Sequence, residues 1–456
     1  MNSSEDTIAA IATPPGQAGI AVVRISGPDA LNIGDKLFKA RSGPVSACAG
    51  GSFLYGHLAD PAGKDGGDLD EAIALIYRAP HSYTREDVLE LQCHGGRQSA
   101  GRTLRAVLQC GARIADPGEF TRRAFLNGRI DLVQAEAVAD LISARTERAA
   151  RVAVEQLEGR LSSSLADVYD VLLSLAADVE GSLDLDDEME RELPADWAQR
   201  LEVVRGNLQA LLSTWGEGHL VRDGALVVIC GRPNTGKSSL MNALLGKPRA
   251  IVAPEPGTTR DTIEEEMILE GIPVRLVDTA GVRKTDSAIE GEGVRRALDL
   301  LAKADLVLHV VDTSVPADTS YTCLDEGLSK TRRIAVLNKS DLPQHIAAEA
   351  VVNVSTVTCC ALKGDGVESL RKEMAMCLGV SENREPHAVI SERHRQLVEK
   401  ALVELGLAAG SFDGNQDLVL SAIHLKAAAE EIGKILGRSY TDDVLDSVFS
   451  RFCVGK

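Results

Sequence analysis

The chain has 456 residues, with 49 Lys plus Arg against 67 Asp plus Glu, a formal net charge of -18, 44% hydrophobic residues and 3% aromatic. At roughly 100 to 200 residues per domain this length implies two to four domains, ordinary apolar content excludes wholesale disorder, and no apolar run approaches the ~18 residues that span a bilayer. The acidic balance excludes binding of nucleic acid by bulk charge, so any RNA must be held by a local patch or by a partner.

From Thr7 to about Asp116 the chain reads as short apolar runs, Ile8 to Ala12, Gly19 to Ile25, Ala72 to Tyr77 and Val88 to Cys93, broken by Pro14-Pro15-Gly16, Asp65-Gly66-Gly67 and His94-Gly95-Gly96. This pattern predicts an α+β domain. After Pro117-Gly118, Val154, Leu157, Leu161, Leu165, Val168, Leu172 and Leu175 step by three or four, which predicts one helix with an apolar face. A second helix is expected from about Asp196 to Trp215, with Leu201, Val204, Leu208 and Leu211 inward, preceded by the acidic stretch Asp184 to Glu192. The pattern breaks at Gly216 to Gly224, and β-branched runs return at Leu226 to Ile229, Val274 to Val277, Leu306 to Val311 and Ile334 to Leu337. Strands alternating with helix-length segments predict an α/β domain with a parallel sheet. From about Ser381 the chain is helical again, with Leu397, Leu402, Leu405, Leu420, Ile423, Ala427, Ile432 and Ile435 as expected core positions. The simplest arrangement is an α/β domain inserted into a helical domain built from both flanks.

The nine cysteines show no C-x-x-C spacing, which suits neither a disulfide framework nor a zinc site and fits a reducing cytoplasm. Glu5 and Asp6 stand where an export signal would need basic residues. A cytoplasmic protein with no membrane association is expected.

Gly231-Arg232-Pro233-Asn234-Thr235-Gly236-Lys237-Ser238 fits G-x-x-x-x-G-K-[ST] and lies between an expected strand and a helix-compatible run, Ser239 to Leu245. Such a loop curls its backbone N–H groups around phosphates, with Lys237 reaching the outer phosphates and the Ser238 hydroxyl ligating magnesium. Asp278-Thr279-Ala280-Gly281 closes the next strand, where a carboxylate can hold a magnesium-bound water and a Gly backbone can lie beside the terminal phosphate. Asn338-Lys339-Ser340-Asp341 follows a further strand, and Asp341 can accept hydrogen bonds from the guanine ring N–H and amine that adenine does not offer. Gly257-Thr258-Thr259-Arg260-Asp261 lies between the first two motifs, where a switch loop would bring Thr259 to magnesium. Four motifs in this order predict a GTPase domain. The Gln that orients the attacking water in Ras-like enzymes is replaced by Val282, which leaves Glu290 and Glu292 as candidates for that work or as solvated loop carboxylates.

With the helical flanks and the terminus Phe452-Cys453-Val454-Gly455-Lys456, the whole chain resembles the MnmE (TrmE) family of tRNA modification GTPases. The specific elements are Ala12-Thr13-Pro14-Pro15-Gly16, Leu89 to Gly96, Pro117 to Asn127, Gln134-Ala135-Glu136-Ala137, Gly231-Arg232-Pro233-Asn234 and the C-terminal pentapeptide. The resemblance implies a multidomain α+β and α/β fold: an N-terminal domain (1–118) that dimerises and binds tetrahydrofolate, a discontinuous helical domain (119–219 and 380–456) and an inserted Ras-like P-loop GTPase domain (220–379). It implies a homodimer that, with the flavoprotein MnmG, adds an aminomethyl or carboxymethylaminomethyl group at C5 of the wobble uridine of tRNA, using a one-carbon unit from 5-formyl- or methylene-tetrahydrofolate. Folate contacts carry over to Arg24, Glu90, Arg129 and Lys456. Arg129 stands where better-known members have Lys, and a planar guanidinium is not equivalent to an ammonium.

The resemblance also implies GTP and Mg2+ held by Asn234, Thr235, Gly236, Lys237, Ser238, Ser239, Asp278, Thr279, Ala280 and Gly281, and guanine held by Asn338, Lys339, Ser340 and Asp341. The loop Ala253, Pro254, Glu255, Pro256, Gly257, Thr258 and Thr259 completes the nucleotide site. Potassium offsets the missing Gln in this family, ligated by the Asn234 side chain and the Ala253 and Glu255 carbonyls with Thr258 adjoining, and the water-orienting Glu falls on Glu290. Two departures stand out: Cys93 replaces a Gly, and Cys360-Ala361-Leu362 replaces Ser-Ala-Lys, a loop expected to work through backbone N–H and to tolerate the change. Cys453 fits a lipidation box poorly, because Gly455 is not aliphatic and Lys456 is outside the usual terminal set; a small buried residue is the bland reading and a functional thiol near the folate pocket the sharper one. The rival class is a GTP-driven switch in ribosome assembly, whose expected basic appendage is absent from the acidic C-terminal context.

Overall fold

A computed structural model describes residues 6–61, 67–183, 194–246, 264–278, 299–316, 332–345, 354–380, 390–415 and 417–456. The chain divides into two compact units, Met1–Ile142 with Glu155–Leu201 and Val403–Lys456, and Ser143–Val154 with Glu202–Leu402.

The first unit carries a seven-stranded sheet of β1 (Ile8–Ile11), β2 (Ile20–Ser26), β3 (Phe38–Ala40), β4 (Ser52–Ala59), β5 (Asp68–Tyr77), β6 (Val88–His94) and β7 (Arg113–Ile114), in the order β3-β4-β5-β6-β2-β1-β7. All pairs are antiparallel except β1 with β7. Alternation sorts the two faces. Ala21, Val23, Ile25, Ala74, Ile76, Leu89, Leu91 and Cys93 bury one face under α1 (Ala30–Leu37) and α2 (Arg97–Gln109). On the other face Phe53, Leu75, Glu90 and Arg24 form one cross-strand row and Tyr55, Ile73, Gln92 and Val22 the next. Phe53 is 68% and Tyr55 60% exposed, so the β4 end of this face is apolar yet uncovered, whereas Arg24 and Glu90 further along are largely covered. The Cys93 thiol sits in the core among residues under the helices, which explains why a side chain is accommodated where Gly was the usual residue.

Helices follow: α3 (Glu119–Leu126), α4 (Leu132–Ser143), α5 (Glu147–Leu157), α6 (Arg160–Leu183), α7 (Trp197–Ser213) and α8 (Trp215–Asp223). The single helix expected over Val154 to Leu175 is two, because the chain turns at Glu158-Gly159; Val154 is exposed, whereas Leu161, Leu165, Val168, Leu172 and Leu175 form the buried stripe. The break expected at Gly216 to Gly224 is helical: Leu220 and Val221 are buried, Trp215 stacks on His219 and His219 bonds Asp223 one turn on. Two glycines lower helix propensity by only about 1 kcal/mol each, and these contacts override it.

The second unit holds β8 (Ala225–Cys230), α9 (Lys237–Leu245), β9 (Glu264–Leu269), β10 (Ile272–Asp278), β11 (Leu306–Asp312), β12 (Arg333–Asn338), β13 (Ser355–Thr358) and α10 (Val367–Leu378). Its sheet order is β13-β12-β11-β8-β10-β9, parallel throughout except for the antiparallel edge strand β9, which the sequence reading did not include. The near-continuous apolar runs of β8, β11 and β12 match strands covered on both faces.

The last helices are α11 (Glu392–Asn415), α12 (Leu418–Leu436) and α13 (Asp442–Phe449). Within the first unit α12 packs along α6. Leu405, Ile432 and Ile435 are core as expected, but Leu420 and Ile423 are exposed, because Leu418, Ser421, Ala422, Leu425, Ala428 and Ala429 form the inward face. Asp417 caps α12 and Thr441 caps α13, each side chain accepting a backbone N–H of the first turn.

Candidate functional site

In the parallel sheet the phosphate-loop candidate, Asp278 and Asn338 all sit at C-terminal strand ends, on adjoining β8 and β10 and on β12 two places away. This edge is where doubly wound sheets hold ligands. The Gly231–Ser238 loop leaves β8 and enters α9 through Gly236, at φ +95; a Cβ there would lie 2.2 Å from Asn338 Nδ2. Asn234, the expected potassium ligand, adopts φ +65, a left-handed conformation Asn tolerates, and is exposed. Lys237 is buried and its ammonium donates to the carbonyls of Gly231 (3.1 Å) and Arg232 (2.6 Å), which hold it over the loop. Thr235 donates to Arg232 O at 3.0 Å, and the Ser238 hydroxyl donates to Asp278 Oδ2 at 3.1 Å. A hydroxyl and a carboxylate in contact beside a phosphate loop are the donor set expected for magnesium. Ser239 is exposed in the first turn of α9.

Asn338 ties the motifs together: its Nδ2 donates to Thr235 O at 2.8 Å and its Oδ1 accepts from Ala361 N at 3.0 Å. Lys339, at φ +66, pairs with Asp312 at 2.5 Å, and Ser340 N donates to Cys359 O at 3.2 Å. Asp341 is held below the ordinary carboxylate range, chiefly by the neighbouring Cys360 side chain and also by the Lys363 ammonium, 3.5 Å away. Cys360 itself is buried, and its backbone N–H donates to Asp365 O at 2.9 Å. Leu362, where Lys is usual, is 84% exposed, and Lys363 brings the cation to Asp341 instead. Asp312 and Lys363 were absent from the expected site; a Lys one residue beyond its usual place was the available signal for Lys363. Ala253, Pro254, Glu255, Pro256, Gly257, Thr258, Thr259, Thr279, Ala280, Gly281 and Glu290 lie outside the described residues, as does Glu292.

A second site opens in the first unit, a cleft of about 570 Å³ lined by Arg24, Tyr77, Pro80, His81, Ser82, Tyr83, Arg85, Val88, Glu90 and Arg129. Three of the four expected folate residues meet here. Arg24 Nε pairs with Glu90 at 2.8 Å, and the Arg24 guanidinium lies over the Tyr83 ring (5.4 Å) and the Phe120 ring (5.7 Å). Arg129 donates to Tyr83 O at 3.3 Å and covers the same ring at 4.8 Å. The Arg24 Nη1 atom is buried without a hydrogen-bond partner among the described residues. An orphaned guanidinium N–H costs free energy unless a ligand acceptor meets it. The fourth residue, Lys456, is half-buried; desolvation and then Arg24 pull its ammonium below its ordinary value, while Glu90 acts in the opposite sense. The C-terminal segment docks against the same sheet, with Gly455 packed on the Ile11 and Ala12 backbone. Cys453, three residues earlier, is exposed, which contradicts the bland reading of a small buried residue.

Tyr83, Arg85 and Tyr77 were missed. Tyr83 and Arg85 fall in the loop between β5 and β6, and no periodicity marks them. Arg24, Arg85 and Arg129 face one acid, Glu90, so the cleft suits an anionic ligand with an aromatic or polar ring system.

Residues 132–453 match the family model described as the MnmE helical domain, and residues 7–129 match the model described as the GTP-binding protein TrmE N-terminus. The tRNA modification GTPase MnmE of Geobacter metallireducens is 44% identical over 457 residues, covering 99% of each chain. Those of Geotalea uraniireducens and Geobacillus kaustophilus are each 42% identical, over 457 and 463 residues, again covering 99% of each chain.

Proposed function

Because this chain belongs to the MnmE (TrmE) family of tRNA modification GTPases, we propose that it hydrolyses GTP to GDP and phosphate and modifies the wobble uridine of tRNA. The observation that carries the GTPase half is the convergence of Lys237, Ser238, Asp278 and Asn338 on one sheet edge, with Asp341 following in the same loop as Asn338. Backbone N–H groups of the 234–239 loop and the Lys237 ammonium bind the phosphates, and Asp341 accepts the two guanine donors. Ser238 and Thr259 would hold Mg2+, with Asp278 holding a magnesium-bound water, and the ion would neutralise charge on the phosphates. Thr279, Ala280 and Gly281 would line the terminal phosphate, and Glu290 would orient the water that attacks phosphorus as the bond to the bridging oxygen breaks.

Val282 leaves no Gln for that task, and the left-handed, exposed Asn234 suits a monovalent-cation ligand. The proposed K+ would be completed by Ala253, Glu255 and Thr258 and would supply positive charge between the outer phosphates. Replacing potassium by sodium is expected to lower kcat at least tenfold, and Asn234→Ala to remove the response to potassium while circular dichroism stays unchanged. Equal turnover in both salts would sink the cation reading.

The cleft supports a tetrahydrofolate site, whose one-carbon unit would supply the added group. The partnerless Arg24 Nη1 and the Arg129 guanidinium would bind the anionic tail, and Glu90 would accept from ring N–H groups. The open sheet face bearing Phe53, Tyr55 and the Arg24 row reaches this cleft, and a second copy of the chain is the proposed cover, giving a homodimer. The flavoprotein MnmG is the proposed further partner, the cytoplasm the proposed location, and 1–118, 119–219, 220–379 and 380–456 the proposed functional segments. Among the described residues no helix is long and apolar enough to cross a membrane. In a deletion strain, nucleoside mass analysis is expected to show loss of the aminomethyl or carboxymethylaminomethyl group at C5 of wobble uridine, restored by the intact chain but not by Cys453→Ser. Unchanged uridines in the deletion strain would support the rival reading, a GTP-dependent switch that modifies nothing.

A further inference from the structure

The charge of this chain is unevenly spread. Helix α2, Arg97–Gln109, has the sequence RQSAGRTLRAVLQ and carries no acidic residue. Ala100, Thr103, Ala106 and Val107 bury one side of it against the sheet, which turns Arg97, Arg102 and Arg105 outward, and all three are exposed. None of the three makes an ion pair among the described residues, in a chain whose 67 acids outnumber its 49 bases. Most other described arginines have partners: Arg24, Arg78, Arg113, Arg122, Arg123 and Arg200 each pair with a carboxylate. The Lys36 ammonium extends the basic surface at the far end of the helix, donating to Cys110 O at 3.4 Å.

Arg102 and Arg105 stand about one turn apart, a rise of roughly 4.5 Å and inside the Debye length of about 8 Å at physiological salt, and Arg97 lies roughly 12 Å from Arg105 along the axis. Unpaired like charges at this spacing repel, and an external polyanion removes that repulsion. We propose that this face of α2 holds the phosphodiester backbone of the tRNA. The inference rests on the reading of the chain as a tRNA-modifying protein and names the surface that a net charge of -18 had denied it. Two features favour a phosphate strand as occupant. Guanidinium groups bind phosphate oxygens in a bidentate fork, and the rest of the exposed side is neutral, with Gln98 and Gln109 able to donate to phosphates. The helix also lies on the sheet face opposite the Arg24–Glu90 cleft and the bare Phe53–Tyr55 face, so dimerisation through that face leaves α2 accessible. The surface positions RNA and reads no sequence.

The test uses the full chain and a labelled tRNA with uridine at the wobble position. The triple variant R97Q/R102Q/R105Q is expected to bind at least about tenfold more weakly, and the slope of log affinity against log salt to flatten by about 2 to 3, since each phosphate contact contributes roughly 0.7 to 0.9. Neutralising the exposed Lys372 and Lys400 instead is expected to change neither. The circular dichroism spectrum and thermal unfolding of all variants should match the unaltered chain, which excludes misfolding of the first unit, and the GTPase rate should be unchanged because its motifs lie in the second. Unchanged affinity and slope in the triple variant would overturn the inference, as would no measurable tRNA binding by the unaltered chain; an acidic protein as the true occupant would give the first of these. Complementation separates this failure from failure of the functional reading. If the intact chain does not restore wobble modification to a deletion strain, that reading falls, whereas full restoration by the triple variant with unchanged affinity removes only the α2 surface.

Discussion

Asp341→Asn is expected to lower kcat/KM for GTP by about a hundredfold or more and to raise it for xanthosine triphosphate. An ionised carboxylate only accepts hydrogen bonds, and guanine offers it a ring N–H and an amine. The Cys360 thiol and the Lys363 ammonium hold Asp341 in that ionised form. An Asn side chain keeps one acceptor and presents an N–H2 to the guanine amine, so one buried donor loses its partner while two donors confront each other. At about 1.4 kcal/mol per tenfold, one lost charge-assisted bond of roughly 1.5 to 3 kcal/mol accounts for about ten- to a hundredfold, and the two confronting donors add the remainder. Xanthine carries an oxygen where guanine carries the amine, and the new N–H2 can donate to it. Hydrolysis assays with both nucleotides decide the matter: GTP efficiency within threefold of the unaltered chain would remove Asp341 from the guanine site.

Gly455→Ala is expected to disable the cleft in the first unit and leave GTP hydrolysis intact. Gly455 sits at φ +101, and a Cβ there would lie 2.5 Å from Ile11 O and 3.0 Å from Ala12 Cα. Both are backbone atoms held by β2, where Ile11 pairs with Val23 and Ala12 N donates to Val22 O at 2.8 Å, so neither retreats without breaking that pairing. The strain of a non-Gly residue in such a conformation is on the order of 1 to 3 kcal/mol before the collision is added, and displacing the last residues relieves both. That displacement carries Lys456 away from Arg24 and Glu90 and moves exposed Cys453 with it. Calorimetric affinity for 5-formyltetrahydrofolate is expected to fall at least tenfold, with wobble modification falling about a hundredfold. Unaltered folate affinity in a folded Gly455→Ala protein would show that the terminal segment does not belong to the site.

Much of the second unit was legible because its chemistry is local. A loop that must curl around phosphates needs Gly236 and Lys237 at fixed spacing, and the strands that deliver it are fully covered and so read as continuous apolar runs. The edge strand β9 escaped because Glu264, Glu265 and Glu266 are exposed and give no apolar run to read. The helical regions were legible in kind but not in phase. Leu420 and Ile423 match a helical spacing as well as Leu418, Ala422 and Leu425 do; small residues lie inside because α12 packs closely along α6, and only the neighbouring helix reveals that.

The amino-acid sequence by itself determined the nucleotide motifs, the strand and helix content and the family, because these depend on residue type at short range. Through the resemblance alone it also pointed to Arg24, Glu90, Arg129 and Lys456. Only the tertiary structure decided that Arg24 and Glu90 face each other across β2 and β6, that Tyr83 underlies two guanidinium groups, and that Lys456 returns to this cluster from the far end of the chain. Strand register and the docking of a terminus join residues hundreds of positions apart, and no spacing rule records such pairings. The same holds for charge. A net value of -18 is a sum over the chain, whereas the bare arginines of α2 exist as a surface only because the helix buries its other side.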